Sequence, residues 1–291
     1  MNKIIKINNK FDSYQRLISF YEENKNKAFS DIHIGLYEWF SANMSAVLGA
    51  VLDLLTKSFN EIHFDYFDFP NDYKKSIEQI LLKNDFLTFY GRERKADTHH
   101  TTIRFQKLTP NDAKYFKIYV IDELIGRTEL PKMTDAVKEK IVESIYEMFV
   151  NAQIHSGTEN IYTCGQFFPT NKTIEFTIAD TGIGIKEKVN KFLQMNLTAS
   201  QAIKWAIKDK NSTKDVTGGI GLALLREFIE KNNGKMQIVS DSGFYEFGKD
   251  GEFSKEFQGR FPGTIVNLQF NTNDDCNYYL KNEINNINEI L

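Results

Sequence analysis

The sequence has few cysteines and no long apolar run, and each shortage excludes a class of protein. Its 291 residues include 2 cysteines, Cys164 and Cys276, which lie too far apart for a metal-ligand motif or a disulfide framework. Cys164 falls in a strand-like stretch, where we expect a buried structural thiol. No segment is apolar over the length that spans a bilayer, so we expect no membrane association. No cleavable leader follows the basic first residues, which favours the cytoplasm.

A strong net charge is also absent. The formal net charge is -3 and the pI is near 6.0, which argues against broad affinity for nucleic acid or anionic membranes. With 41% hydrophobic and 26% charged residues, the composition is that of a globular protein. The length favours two domains, which we place at residues 1–125 and 126–291.

The first block alternates strand-like and helix-like segments. Period-2 patterns predict strands at 32–36, 62–67, 101–106 and 116–121, and apolar residues at helical spacing predict helices at 44–55 and 73–83. Ser41 or Asn43 is placed to cap the first helix. This order predicts a small α/β domain.

The second block begins with a long helix over 135–155, predicted from an apolar stripe that includes Ile141 and Ile145. Strands are predicted at 160–168, 173–179, 235–240 and 264–270, with helices at 199–208 and 218–232. Helices gathered on one face of a mostly antiparallel sheet make this block an α+β, two-layer sandwich.

The long helix carries a polar row at i, i+4, i+8: Glu147, Asn151 and His155. A carboxamide oxygen can bind Mg²⁺, and a carboxylate one turn away can accept a proton from a nucleophile. The alternative is a polar helix edge that faces solvent.

Two glycine-rich segments follow. Asp180, Gly182 and Gly184 come directly after a strand, where glycines let the backbone approach a flat ligand and the Asp can accept a hydrogen bond from an amine such as that of adenine. A hairpin turn is the alternative.

The second glycine-rich segment, with Gly218, Gly219 and Gly221, precedes an apolar helix, so its N–H groups can bind phosphate. A glycine-rich helix start is the alternative, and the P-loop lysine is missing. Farther along, Gly263-Thr264 stands at a predicted strand start, where the hydroxyl can support the adenine-binding Asp.

In this order, the four motifs resemble those of the GHKL ATPase superfamily, which includes gyrase, heat-shock chaperones and histidine kinases. Asn151 matches the N box, Asp180, Gly182 and Gly184 the first glycine box, and Gly219 and Gly221 the second. The resemblance implies a Bergerat-type fold and the cofactors ATP and Mg²⁺, with the metal on Asn151.

Within that superfamily, residues 147–156 resemble anti-sigma-factor serine kinases, in which a Glu four residues before the Asn is the proposed base; here it is Glu147. The chain would then be a Mg²⁺-dependent ATPase or a serine protein kinase. Histidine autokinase activity is disfavoured, because His99 and His100 fall in a predicted loop rather than on a dimerisation helix.

Residues 40–51 are similar to a turn of STAS domains, the small partners that anti-sigma kinases phosphorylate. Ser41 and Ser45 lie near the phosphoacceptor position, although helix capping by Ser41 and surface exposure of Ser45 are the alternatives. The expected partner is a protein, such as a small STAS-like one, and a homodimer is an option.

Three functions therefore stay open. The first is phosphoryl transfer or hydrolysis, gated by a polar lid at 186–217 in which Lys210 and Lys214 are candidates to touch the γ-phosphate. The second is an ATP-switched binding module with little turnover. The third, an ATP-gated dimer clamp on DNA, is disfavoured by the acidic charge balance.

Overall fold

The computed structural model describes residues 1–68, 76–155, 157–208, 220–281 and 283. The N-terminal part holds a three-stranded parallel sheet in the order β1-β2-β3. Parallel strands need crossover connections, and helices supply them here. The elements are β1 (Asn2–Ile7), α1 (Phe11–Asn24), β2 (Asp31–Phe40), α2 (Ser45–Thr56), β3 (Glu61–Phe67) and α3 (Ile77–Lys83).

A five-stranded antiparallel sheet forms the rest of the framework, in the order β4-β6-β7-β9-β8. Its strands are β4 (Thr102–Leu108), β6 (Ile161–Phe168), β7 (Thr173–Asp180), β8 (Lys235–Gly248) and β9 (Gly251–Asn271). The helices of this part are α4 (Ala113–Tyr119), α5 (Asp135–His155), α6 (Ile185–Leu193), α7 (Ala199–Ala206) and α8 (Ile220–Lys231). Two short strands, β5 (Lys132–Met133) and β10 (Asn277–Tyr278), pair in parallel.

The expected fold class, α+β with helices packed against an antiparallel sheet, is confirmed, although helices cover both faces of the sheet rather than one. The bounds of α5 agree with the prediction, and β4, β6 and β7 lie close to their predicted positions. The division at residue 125 stays a prediction, although β4 lies before it and pairs with β6. No helix in the described ranges is long and apolar enough to cross a membrane.

Both faces of the five-stranded sheet are covered. On one face, alternate residues such as Phe176 and Leu268 pack in a core with α4, α5 and α8, and we call this the helix face. On the other, Cys164 and Phe261 share a core with α1, α2 and the parallel sheet. The α2 residues 45–52 are all buried, since a helix between two sheets has no solvent side.

The predicted strand at 116–121 is wrong. Residues 113–119 form α4, and a π-helical turn continues to Ile125. Thr109 and Asp112 form a capping box with Pro110 between them, and this box starts the helical segment. The β-branched and aromatic composition suggested a strand, but the buried Phe116 and Val120 recur at helical spacing.

The residues around the start of α2 also differ from expectation. Ser41 and Ser45 are 2% and 0% exposed, so surface exposure of Ser45 is wrong and neither hydroxyl is accessible to a kinase here. Neither Ser41 nor Asn43 caps α2 through its side chain. Instead, the Asn43 amide donates to Thr177 Oγ1 at 2.9 Å and to Asn267 Oδ1 at 3.2 Å, which ties the N-terminal part to the five-stranded sheet.

Candidate functional site

Three polar residues lie side by side at one edge of the five-stranded sheet. The β-ladder pairs Asp180 of β7 with Thr264 of β9, and Thr264 with Ser240 of β8. We call these three residues the polar row. Two positions away along the same strands lie Ile178, Val266 and Ile238. Their side chains belong to the helix-face core or pack against it. Because side chains alternate along a strand, the polar row also points to the helix face.

Asp180 is the ionisable member of the row and is 7% exposed. Its Oδ1 accepts a hydrogen bond from the Gly182 N–H at 2.9 Å. Burial raises the pKa of Asp180 to about 6, while the Gly182 hydrogen bond, the charge of Lys188 and the backbone N–H of Thr264 lower it in part. A buried carboxylate that is still ionised at neutral pH is a strong hydrogen-bond acceptor for an amine.

Hydrogen bonds hold the glycine-rich loop of residues 181–184 against the polar row. The Ile185 N–H donates to Ser240 Oγ at 2.8 Å, and Ser240 donates to the Gly263 carbonyl at 3.0 Å. Ser240 Oγ also lies 3.2 Å from Thr264 Oγ1. Gly184 precedes the first turn of α6, and a Cβ there would lie 2.7 Å from Ser240 Oγ. The loop therefore needs a glycine at 184 to lie this close to β8.

Thr264 does not begin a strand, as was predicted, but lies inside the long β9. The preceding Gly263 has φ +135°, a conformation that favours glycine. The chain passes so close to the end of β7 that other side chains at 263 have no room. Gly263 is thus a backbone requirement of the site.

The helix α5, which carries Glu147 and Asn151, runs toward the same edge of the sheet. It ends at His155, and β6 begins soon afterwards at Ile161, which pairs with Asp180. The C-terminal end of α5 must therefore lie near the polar row. Asn151, one turn before that end, is exposed, and Glu147 is half-buried.

The helix α8 starts at this edge and runs away from it. It ends at Lys231, shortly before β8 begins at Lys235, and β8 then runs toward Ser240. Its 12 residues span about 18 Å, so its first turn, with Gly221, lies toward the polar row. Gly218 and Gly219 lie outside the described residues, as do Lys210 and Lys214 of the predicted lid. The described part of that lid contains α6 and α7.

A pocket of about 550 Å³ opens beside the glycine-rich loop on the side of α1. Two cationic side chains line it, Lys25 directly after α1 and Arg260 of β9, and the Arg260 Nε lies 3.7 Å from Asp241 Oδ1. Neither Glu147 nor Asn151 is among its described lining. The remaining lining residues are Tyr21, Glu22, Gly157, Thr181, Gly182, Ile183, Gly184, Glu187, Phe261, Pro262 and Gly263.

Sequence reasoning missed Ser240 and the two cationic residues of the pocket. Ser240 was detectable, because it ends the predicted strand 235–240 in phase with the buried Met236 and Ile238. Lys25 and Arg260 carry no such signal, since their positions depend on how α1 packs against β9. His99 and His100 are exposed and lie on no helix, as expected.

Comparisons with known proteins do not identify a family for the chain. No family model matches the chain, and no curated protein matches it. Among solved structures, the chain is similar to a topoisomerase IV ATP-binding domain of Francisella tularensis in complex with a small-molecule inhibitor. The identity is 14% and the TM-score 0.27, over 64% of this chain and 48% of that one, so this chain spans about half the length of that structure. This likeness is too low to assign a family or a role to the chain.

Proposed function

We propose that this chain binds Mg²⁺-ATP at the edge of the five-stranded sheet and hydrolyses it or transfers its γ-phosphate to a protein partner. The observation that carries the proposal is the polar row, Asp180-Thr264-Ser240, at the edge where α5 ends and α8 begins. The connections of the chain support the proposal, since α5 ends before β6, β7 ends at Asp180, and α8 leads into β8.

The adenine end of the site would lie on the polar row. The Asp180 carboxylate can accept a hydrogen bond from the exocyclic amine, and the Thr264 hydroxyl stands beside it on the neighbouring strand. The glycine-rich loop would lie against the base, because Gly182 and Gly184 keep the backbone free of bulky side chains. This arrangement selects a base that donates a hydrogen bond at that position.

The phosphates would lie toward the first turn of α8. The positive end of a helix dipole and the unpaired N–H groups of a first turn bind anions. Gly221 belongs to this turn, and Gly218 and Gly219 precede it in the chain.

Mg²⁺ would be held by Asn151. The fit is good, since the side chain is exposed near the C-terminal end of α5 and its carboxamide oxygen is a hard ligand. When bound, Mg²⁺ neutralises part of the phosphate charge. Glu147, one turn earlier on the same helix row, would accept the proton of a serine hydroxyl or a water.

Labelled ATP tests the proposal directly. The purified full chain is incubated with γ-labelled ATP and Mg²⁺, alone and with cell extract. Label on another protein indicates a kinase, and released phosphate indicates an ATPase. If the chain also fails to bind ATP in a calorimetric titration, the proposal is wrong.

A second function, the ATP-switched binding module, is favoured by the position of α1. Lys25, the residue after α1, lines the pocket next to the glycine-rich loop, so nucleotide binding at that loop can act on the N-terminal part. Bound ATP without turnover, together with a partner affinity that depends on nucleotide, would support this alternative. Salt-dependent DNA binding would support the dimer clamp instead.

A further inference from the structure

The outer face of the parallel sheet carries a cluster of histidine and carboxylate side chains. The register of β2 and β3 places Asp31 next to Glu61 and His33 next to His63. Ile32, Ile34 and Phe64, which are direct neighbours of these residues along the strands, point inward and are buried. Because side chains alternate along strands, the four flanking residues project outward to the face that faces solvent. This cluster is separate from the polar row.

Three of these side chains converge on one point. His63 Nε2 lies 3.0 Å from Asp31 Oδ1 and 3.8 Å from Glu61 Oε2. One ligand atom from each of the three residues lies within 4.8 Å of the other two. A tetrahedral Zn²⁺ with bonds of about 2.0–2.2 Å holds its ligand atoms about 3.3 Å apart. Small side-chain rotations would bring this set to that spacing.

A neighbouring pair holds the His63 ring in place. The rings of His33 and His63 stack with their centroids 5.0 Å apart and an interplanar angle of 21°. His33 Nδ1 in turn lies 2.9 Å from Asp65 Oδ2. Three carboxylates therefore surround two imidazoles, and the local excess of negative charge favours a cation.

The alternative is a pair of exposed histidine–carboxylate ion pairs, which contribute little to stability. One feature favours a metal over that alternative. His63 Nε2 carries at most one proton, and that proton cannot satisfy both Asp31 and Glu61. A divalent ion in place of the proton binds all three groups at once.

We propose that Asp31, Glu61 and His63 bind one transition-metal ion of the Zn²⁺ type on the outer face of the parallel sheet. An imidazole nitrogen with two carboxylate oxygens suits Zn²⁺ or Co²⁺ better than Mg²⁺ or Ca²⁺. Three protein ligands leave a fourth position for water. The ion links β2 to β3, and it does not require nucleotide.

Calorimetric titration of the chelator-treated full chain with zinc chloride, without nucleotide, tests the site. We expect one Zn²⁺ per chain. His63→Ala and Asp31→Asn should each weaken Zn²⁺ binding about tenfold or more, because even the loss of a residue that only orients a metal ligand lowers metal affinity by about that factor. His99→Ala, at an exposed loop histidine, is the matched control and should bind as the wild type does.

Thermal unfolding gives an independent readout. Zn²⁺ should raise the Tm of the wild type and of His99→Ala, because a ligand that binds only the folded state stabilises it. At the same Zn²⁺ concentration it should raise the Tm of His63→Ala by clearly less, because weaker binding stabilises less. The proposal is overturned if the wild type binds no Zn²⁺, or if His63→Ala binds it with wild-type affinity.

Discussion

A Cβ on Gly263 would lie 1.9 Å from the carbonyl oxygen of Asp180, so a glycine is required where β9 passes the end of β7. The two residues belong to neighbouring strands, and the strand that carries Gly263 supplies Thr264 next. The close approach of Gly263 to Asp180 therefore sets the position of Thr264 relative to Asp180 in the polar row.

Replacing this glycine should therefore damage both the fold and the site. Gly263→Ala should lower the free energy of unfolding by more than the roughly 1–3 kcal/mol that a strained backbone conformation costs, because a steric clash adds to the strain. Gly251→Ala is the matched control: its φ is +95°, but nothing lies within 4 Å of its added Cβ. Urea unfolding measures both, and equal losses would contradict the steric argument.

Asp180→Asn should weaken ATP binding without unfolding the chain. In the proposed complex the carboxylate would accept a hydrogen bond from the base as an anion, and such bonds contribute about 1.5–3 kcal/mol, which corresponds to about tenfold or more in Kd. Titration calorimetry with ATP gives the affinity, and circular dichroism checks the fold. Asp250→Asn, at an exposed turn, is the control. Wild-type affinity in Asp180→Asn would remove Asp180 from the proposed site.

Glu147→Ala should abolish turnover and leave ATP binding intact, because the proposed base does not hold the nucleotide. Loss of a general base typically costs about 10²–10⁴-fold in rate. Glu143→Ala, one turn earlier on α5 and exposed, is the matched control and should retain the wild-type rate. Turnover is measured as released phosphate or as label on a partner. An unchanged rate in Glu147→Ala would show that another group is the base.

Stability should depend on pH through Glu175, which is buried between the five-stranded sheet and the N-terminal part. Burial raises the pKa of Glu175 to about 7 from its usual 4.5, although hydrogen bonds from Asn267 and Gln269 and the charge of Lys235 lower it in part. The folded state therefore binds the proton more tightly than the unfolded state does. This contribution is complete below pH 4.5 and is lost as the pH rises through 7.

The Glu175→Gln variant isolates that contribution. Between pH 4.5 and 7, the free energy of unfolding of the wild type should fall relative to that of the variant, by on the order of 3 kcal/mol. Asp180 contributes in the same direction but is present in both proteins, so it cancels. Urea unfolding at pH 4.5, 6 and 8 measures the difference. Parallel pH profiles would mean that Glu175 keeps an ordinary pKa in the folded chain.

Much of the helix-covered sheet was predictable from sequence, because its pattern is local. The apolar stripe of α5 and the period-2 pattern of β7 each arise from residues close together in the sequence. Asp180 stands at the strand end that the second pattern predicts. The error at 116–121 also has a local cause, since Thr109 and Asp112 form a helix-start signal shortly before that segment.

The rest depended on contacts between distant segments. Asn43 was expected to cap a helix, but its amide bonds to Thr177 and Asn267, more than a hundred residues away. Arg260 lines the pocket because β9 packs against α1, and residue spacing in the sequence does not predict that contact. The metal cluster likewise requires the register between β2 and β3, which alternation within one strand does not give.

The helices α1 and α2 pack against both sheets, and this limits where the chain can be divided into fragments. A fragment that began at residue 101 would keep the polar row, α5 and α8, yet it would expose Tyr162, Cys164 and Phe261 to water. An apolar face of that kind drives aggregation. A minimal fragment that is meant to test the proposed nucleotide site must therefore include α1 and α2.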